Sequence, residues 1–168
     1  IDGDGYADLV VLDYQSLHIY RFDVAQQLFE HRVIEQTALP IEAVQLEDLD
    51  QDGWQDLVIS VRVDHNHYRI EWSRNQNGSG DFDGPKTLTT FDAPLKQFTL
   101  VDLDNDRHLD LVWMTSNQVA WQRRATESVH FEDPIVFSDL PTMNALAVTD
   151  IDRDGDADQR QTRFHPFY

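Results

Sequence analysis

Apolar residues along this chain come in runs of four to six, each closed by a polar turn. The clearest are "DLVVL" at 8–12, "DLVIS" at 56–60 and "DLVWM" at 110–114. Each is followed by a second run carrying an aromatic residue: "LHIYRF" (Tyr20), "YRIEWSR" (Trp72) and "QVAWQRR" (Trp121). A phenylalanine comes nine or ten residues later, at Phe29, Phe82 and Phe131. A further strand-like run, "AVQLED", "QFTLVD" or "ALAVTD", closes each unit. These segments are rich in Val, Ile, Thr, Trp, Tyr and Phe and are bounded by turn residues, which predicts short β-strands. The stretch "DVAQQLFEHRVIEQTALPIEAV" at 23–44 looks the most helical. Its alignment with strand segments in the other units outweighs that look, and no segment sustains a 3.6-residue period.

The runs are spaced by an acidic phrase that repeats in phase. It reads "IDGDGYADLV" at 1–10, "DLDQDGWQDLV" at 48–58, "DLDNDRHLDLV" at 102–112 and "DIDRDGDADQ" at 150–159. The starts lie 48, 54 and 48 residues apart, counting a leading Asp that the first copy lacks. The longer middle unit owes most of its extra length to "VDHNHY" and "RNQNGSGD", which belong at loop tips. Four strands in each unit of about 50 residues is the pattern of β-propeller blades. The units run approximately 1–47, 48–101 and 102–149, with a partial fourth over 150–168. The expected fold is therefore all-β: four-stranded antiparallel blades, about three of them, forming a partial or open propeller. Three blades do not close the usual ring. The rest comes from a longer chain, from further copies of this one, or from a partner that covers an open arc. The chain opens inside a motif, as an internal or processed piece of a longer protein does.

The acidic phrase carries the candidate chemistry. Alternating carboxylates on a curled loop converge, and like charges at that density need a cation among them. Six to eight hard oxygens converging on one point make a Ca²⁺ site. Loop positions 1, 3, 5 and 9 supply carboxylates and position 7 a backbone carbonyl, while Gly at position 6 permits the sharp turn. The candidate ligands of the second loop are Asp48, Asp50, Asp52, the Trp54 carbonyl and Asp56. Those of the third are Asp102, Asp104, Asp106, the His108 carbonyl and Asp110. Those of the fourth are Asp150, Asp152, Asp154, the Asp156 carbonyl and Asp158, and the first keeps Asp2, Asp4, the Tyr6 carbonyl and Asp8. An EF-hand would need an acidic residue at position 12 and flanking helices. Position 12 is Ile59 in the second loop and Trp113 in the third, between strand-like flanks.

The phrase D-h-D-x-D-G-x-x-D-L-h (h apolar) on a 50-residue strand repeat resembles the FG-GAP/VCBS family. These are the calcium-loop blades of integrin α-subunit propellers and of many bacterial surface and secreted proteins. The resemblance runs to about residue 159, with "FDAP" at 91–94 and "FDGP" at 82–85 as loose echoes of the family's Phe-Gly and Gly-Ala-Pro signatures. It implies a loop joining two adjacent strands of a blade, a structural Ca²⁺ in that loop, and ligand binding by the loop-bearing faces. Up to four sites are expected, with the second strongest. Arg107 stands where the third loop should have its turn glycine, the first loop lacks one ligand, and Gln159 breaks the pattern after the fourth.

Charge and composition narrow the function. The 168 residues carry 13 Lys+Arg against 31 Asp+Glu, a formal charge of −18. That balance leaves no basic face for a nucleic acid. Sixteen of the acids lie in the four loops, and four bound Ca²⁺ would move the charge to about −10. There is no cysteine, so disulfides, thiolate metal sites and cysteine nucleophiles are excluded. No apolar stretch reaches the length of a membrane-spanning helix. No nucleophile elbow, phosphate-binding glycine loop or H-E-x-x-H is present, and the chain reads as a non-enzyme. His65 and His67 are two apart and could share a Zn²⁺ or Ni²⁺, although a solvated loop explains them better. Trp72 and Trp121 read as core residues, whereas Trp54, within a loop, is the better candidate for an exposed contact. "NGS" at 77–79 is a glycosylation sequon and an ordinary turn. The expectation is a calcium-binding propeller module of an exported protein, at the cell surface, outside the cell or in the periplasm, that recognises or adheres to a protein or glycan. The rival is a segment or accessory domain of a propeller-based lyase or hydrolase acting on polysaccharide.

Overall fold

The computed structural model of the chain describes residues 3–125, 128–138 and 144–149. The regular structure among them is entirely β: β1 (Leu9–Asp13), β2 (Ser16–Asp23), β3 (Leu28–Gln36), β4 (Ile41–Glu47), β5 (Asp56–Arg62), β6 (Tyr68–Ser73), β7 (Lys86–Phe91), β8 (Gln97–Val101), β9 (Asp110–Met114), β10 (Val119–Gln122) and β11 (Ile135–Ser138). They make three open antiparallel sheets in the orders β1-β2-β3, β4-β5-β6-β7 and β8-β9-β10-β11. The predicted succession of antiparallel blade-like sheets is observed, but the first has three strands, and the runs "AVQLED" and "QFTLVD", expected to close a unit, instead open the next sheet within β4 and β8. The helical-looking stretch folds largely as strand: in β3 Val33 pairs with His18 of β2, and in β4 Ile41 and Val44 pair with Val61 and Ile59 of β5. The chain divides into two compact units, residues 1–92 with the first two sheets and residues 93–168 with the third.

The second and third acidic loops each link a strand to its hairpin neighbour. β4 ends at Glu47 and β5 begins at Asp56, while β8 ends at Val101 and β9 begins at Asp110. In both of those sheets the first strand precedes the loop, and the other three follow it. β5 and β9 are inner strands, buried residue after residue from Asp56 to Val61 and from Asp110 to Met114. Cover on both faces is why "DLVIS" and "DLVWM" are continuous apolar runs and not alternating ones.

In the first unit one core joins two sheets. Leu17 packs with Ile41, Leu57, Ile59 and Val61, and Val10, Leu12, Ile34 and Leu39 close around them. Leu57, Ile59 and Val61 lie on one face of β5, so the second sheet turns that face to the first. Register corrects one expectation here. Val10 pairs with Ile19, Val58 with Trp72 and Val112 with Trp121. The counterpart of the two tryptophans is therefore Ile19 and not Tyr20. Because side chains alternate along a strand, that one-residue step puts Tyr20 on the other face. There its ring stacks on His31 at 4.7 Å.

Candidate metal centres

The loops fold as stacked Asx turns, in which an aspartate side chain accepts the N–H of a residue just ahead of it. In the second loop Asp48 Oδ1 accepts the Asp52 N–H at 3.0 Å, and Asp48 Oδ2 the Gly53 N–H at 2.9 Å. Asp50 Oδ1 accepts the Asp52 N–H at 3.3 Å, and Asp52 Oδ1 the Trp54 N–H at 3.0 Å. The third loop repeats this bond for bond. Asp102 accepts from Asp106 (3.0 Å) and Arg107 (2.8 Å), Asp104 from Asp106 (3.2 Å) and Asp106 from His108 (2.9 Å). In the first loop Asp4 accepts the Tyr6 N–H at 2.8 Å in the same way.

Such winding needs left-handed backbone at two places in each loop. Position 6 is one, with Gly53 at φ 95° and Gly5 at 85°. The third loop forces Arg107 to φ 73° there, which costs about 1 kcal/mol relative to glycine. Position 4 is the other: Gly3, Gln51 and Asn105 have φ of 70°, 63° and 62°. The left-handed backbone at position 4 is not expected from the sequence of the second and third loops, where Gln51 and Asn105 stand in place of a glycine.

The result is two groups of three carboxylates. Asp48, Asp50 and Asp52 each place an oxygen within 4.8 Å of the others, and so do Asp102, Asp104 and Asp106. Two oxygens on opposite sides of a Ca²⁺, each at 2.3–2.6 Å, stand roughly 5 Å apart, so each group fits around one ion of that size. The donor set is all hard oxygen, which suits Ca²⁺ and not a soft metal. Asp8 is half-buried after the first loop. Asp2 and the entire fourth set, Asp150, Asp152, Asp154, Asp156 and Asp158, lie outside the described residues.

Asp56 and Asp110, the ninth residues of their loops, are placed differently from the three-carboxylate groups. Both are 0% exposed. Asp56 Oδ2 accepts the Leu49 N–H at 3.2 Å and the Trp72 indole N–H at 2.9 Å, and Oδ1 accepts the Asn75 N–H at 2.8 Å. Asp110 accepts the Leu103 N–H at 3.2 Å and the Arg124 N–H at 2.9 Å. Each ties the start of its loop to the strand two places along. Burial pushes both carboxyls above the usual range. Against it work the Asn75, Trp72 and Leu49 donors at Asp56, and the Arg124 and Leu103 backbone donors at Asp110.

Two arginines grip the groups from outside. Arg74 Nε lies 2.5 Å from Asp50 Oδ2, and Arg74 Nη2 lies 2.7 Å from Asp52 Oδ2. Arg123 Nε lies 2.6 Å from Asp104 Oδ2, and Arg123 Nη2 lies 3.1 Å from Asp106 Oδ2. The bonds to Asp52 and Asp106, then the fields of Asp50 and Asp104, raise the two guanidinium pKa values further. At Asp106 burial works upward, but the His108 N–H, Arg123 and the His108 ring together hold the carboxyl below its usual range. Neither arginine stands among the residues expected at the loops from the sequence. Their signal was a basic residue two places after each aromatic anchor, in "WSR" and "WQR".

Trp54 is not offered freely to a ligand: it is half-buried. Its six-membered ring sits against two glycines that have no room for a side chain. A Cβ on Gly78 would fall 2.2 Å from Trp54 Cε3, and one on Gly3 2.7 Å from Trp54 Cζ3. Gly78 also has φ +68°, so Gly78→Ala combines left-handed strain with overpacking and will cost about 2–4 kcal/mol in urea denaturation. Gly84→Ala, with nothing within 4 Å, serves as the near-neutral control. Trp72 is buried as expected and Trp121 half-buried. His67 is held by Asp64 at 2.7 Å through Nδ1, whose other near carboxylate is Asp92, 3.8 Å from Nε2. His65 is exposed in the same turn.

Comparison with known proteins agrees with this geometry. FG-GAP-like repeats match three times, over residues 1–59, 48–113 and 102–159. Each match starts at one acidic phrase and ends at or one residue past the end of the next. No curated protein matches the chain. With the three matches covering all but its last nine residues, the chain belongs to the FG-GAP-like repeat family.

Proposed function

We propose that this chain is a calcium-stabilised propeller module of an exported or cell-surface protein, which recognises a protein or glycan through the loops between its strands. The observation that carries the reading is the duplicated loop: two sheets build the same three-carboxylate group with the same backbone bonds. The second site would use Asp48, Asp50, Asp52, the Trp54 carbonyl and Asp56, and the third Asp102, Asp104, Asp106, the His108 carbonyl and Asp110. Bound Ca²⁺ would neutralise the carboxylates and stiffen the strand-to-strand links. It would do no chemistry on a substrate. Extracellular modules bind Ca²⁺ with Kd of about 0.1–1 mM, which favours a compartment where the ion is plentiful.

The propeller reading also assigns a partner to the first sheet. Leu9 and Val11 are the counterparts of Leu57 and Ile59 by loop register, yet they are 53% and 39% exposed. On the same sheet Phe29 and Val33 are exposed as well. Leu57 and Ile59 are covered by a neighbouring sheet, and a further blade of the same kind fits over Leu9 and Val11. It belongs to a longer chain or to another copy of this one, and a monomeric mass by light scattering would remove the second source.

A panel of immobilised polysaccharides and cell-surface proteins, probed with and without Ca²⁺, tests the recognition role. Calcium-dependent retention with no released product is the expected outcome. Release of oligosaccharide would instead identify the module as part of a polysaccharide-active enzyme.

A further inference from the structure

We infer that Arg74 and Arg123 are built-in counter-cations of the two acidic loops, holding the carboxylate oxygens a metal ion would recruit and so setting the loops' metal affinity. The inference rests on the calcium reading above and adds the residue that regulates it.

Oxygen by oxygen, the loop shows why. The Oδ1 atoms of Asp50 and Asp52 already accept backbone N–H groups. The Oδ2 atoms have no backbone donor among their hydrogen bonds, and those are the two that Arg74 takes. In the third loop the Oδ1 atoms of Asp104 and Asp106 accept from Asp106 and His108, and Arg123 takes both Oδ2 atoms. A guanidinium fork matched to one carboxylate would bind its two oxygens. Here the fork instead bridges two carboxylates, as a divalent ion does. The same arrangement occurs in two loops whose strands differ in sequence, so it belongs to the repeat and not to one chance rotamer.

Register supports this too. Arg74 follows Ser73, which pairs with Leu57, and Arg123 follows Gln122, which pairs with Leu111. Arg21 follows Tyr20, which pairs with Leu9. Arg21 thus stands at the same place in the first sheet, where it lines one surface hollow with Asp4. In the second and third sheets the guanidinium reaches the acidic loop, and the first sheet carries an arginine at the matching register position.

The arginine side chains are 41% and 42% exposed. A guanidinium at that depth can swing into water when a divalent ion arrives, so the lock is reversible. Without metal the arginine offsets the repulsion among three carboxylates. With metal it opposes the ion, because a cation must be displaced or endured at close range.

The test is calorimetric titration of the metal-stripped protein with Ca²⁺, comparing wild type, Arg74→Gln and Arg123→Gln. Arg32→Gln serves as the charge-matched control, since Arg32 pairs with Asp81 outside the loops. Removing a charge that touches the ligands should tighten the affected site about tenfold, while the control changes affinity by less than about twofold. Each loop variant should also melt lower than wild type in EDTA and recover at saturating Ca²⁺. Were one variant to fold poorly, the other reads the same effect in its own loop. If wild type titrates but both variants bind equally or more weakly, the inference is overturned and the calcium reading stands. If no protein in the set takes up Ca²⁺, the calcium reading itself fails and the inference falls with it.

Discussion

Asp56→Ala will destabilise the metal-free protein by about 3–5 kcal/mol, and Asp110→Ala will do comparable damage. The reason is what alanine leaves behind. Asp56 is fully buried and accepts from the Leu49 N–H, the Asn75 N–H and the Trp72 indole N–H. Without the carboxylate, three donors lose their acceptor where water cannot easily replace it. Each buried unsatisfied donor costs about 1–3 kcal/mol, and partial relaxation keeps the total below the simple sum. Asp56→Asn retains one acceptor oxygen but turns an NH₂ toward a donor, so it should fall between alanine and wild type. Urea denaturation in EDTA, followed by tryptophan fluorescence, measures the effect without any contribution from metal. A loss under about 1 kcal/mol would show that the buried carboxylate does not hold the loop to the sheet.

Calcium will work in the opposite direction. At about 10 mM Ca²⁺ and a Kd of about 0.1 mM, each occupied loop adds about 2.7 kcal/mol to the unfolding free energy. Asp50→Asn should remove the share of the second loop, and Asp104→Asn that of the third. The two loops lie in separate compact units of the chain. Their losses should therefore add within about 0.5 kcal/mol in the double variant. The second loop should give the larger gain, because Gly53 takes its left-handed conformation freely while Arg107 does so under strain. Melting curves of the four proteins with Ca²⁺ and with EDTA would expose the pattern. Equal stabilisation of wild type and the double variant would mean that the ion acts elsewhere.

Much of the architecture was legible because the repeat is written twice, once in apolar runs and once in aspartates. The two signals share a phase, which fixes where "DLVIS" and "DLVWM" sit within their sheets. β5 and β9 are also continuously apolar, a pattern that fits the cover they have on both faces. What escaped depends on partners across a sheet, and spacing along the chain does not encode those. The row of aspartates presents Asp56 only as a ligand, and the sheet register adds a structural role by bringing Trp72 and Asn75 to it from 16 and 19 residues away. Arg74 is likewise 22 residues from Asp52. Tyr20 matches Trp72 in aromatic character, whereas pairing puts Ile19 at the equivalent place. The left-handed backbone at Gln51 and Asn105 was hidden because neither is glycine, although asparagine tolerates that region better than most residues. Trp54 looked exposed by its place in a loop, and its cover comes from Gly3 and Gly78, both remote in sequence.

The account turns on whether the duplicated aspartate loops take up Ca²⁺. The most direct measurement is calorimetric titration of the metal-stripped wild-type protein with CaCl₂, paired with the same titration of the Asp50→Asn, Asp104→Asn double variant. The account predicts saturable binding to at least two sites in wild type and loss of both in the variant. Absence of binding heat in wild type at millimolar Ca²⁺, together with a melt that EDTA leaves unchanged, would contradict it and reduce the loops to acidic turns.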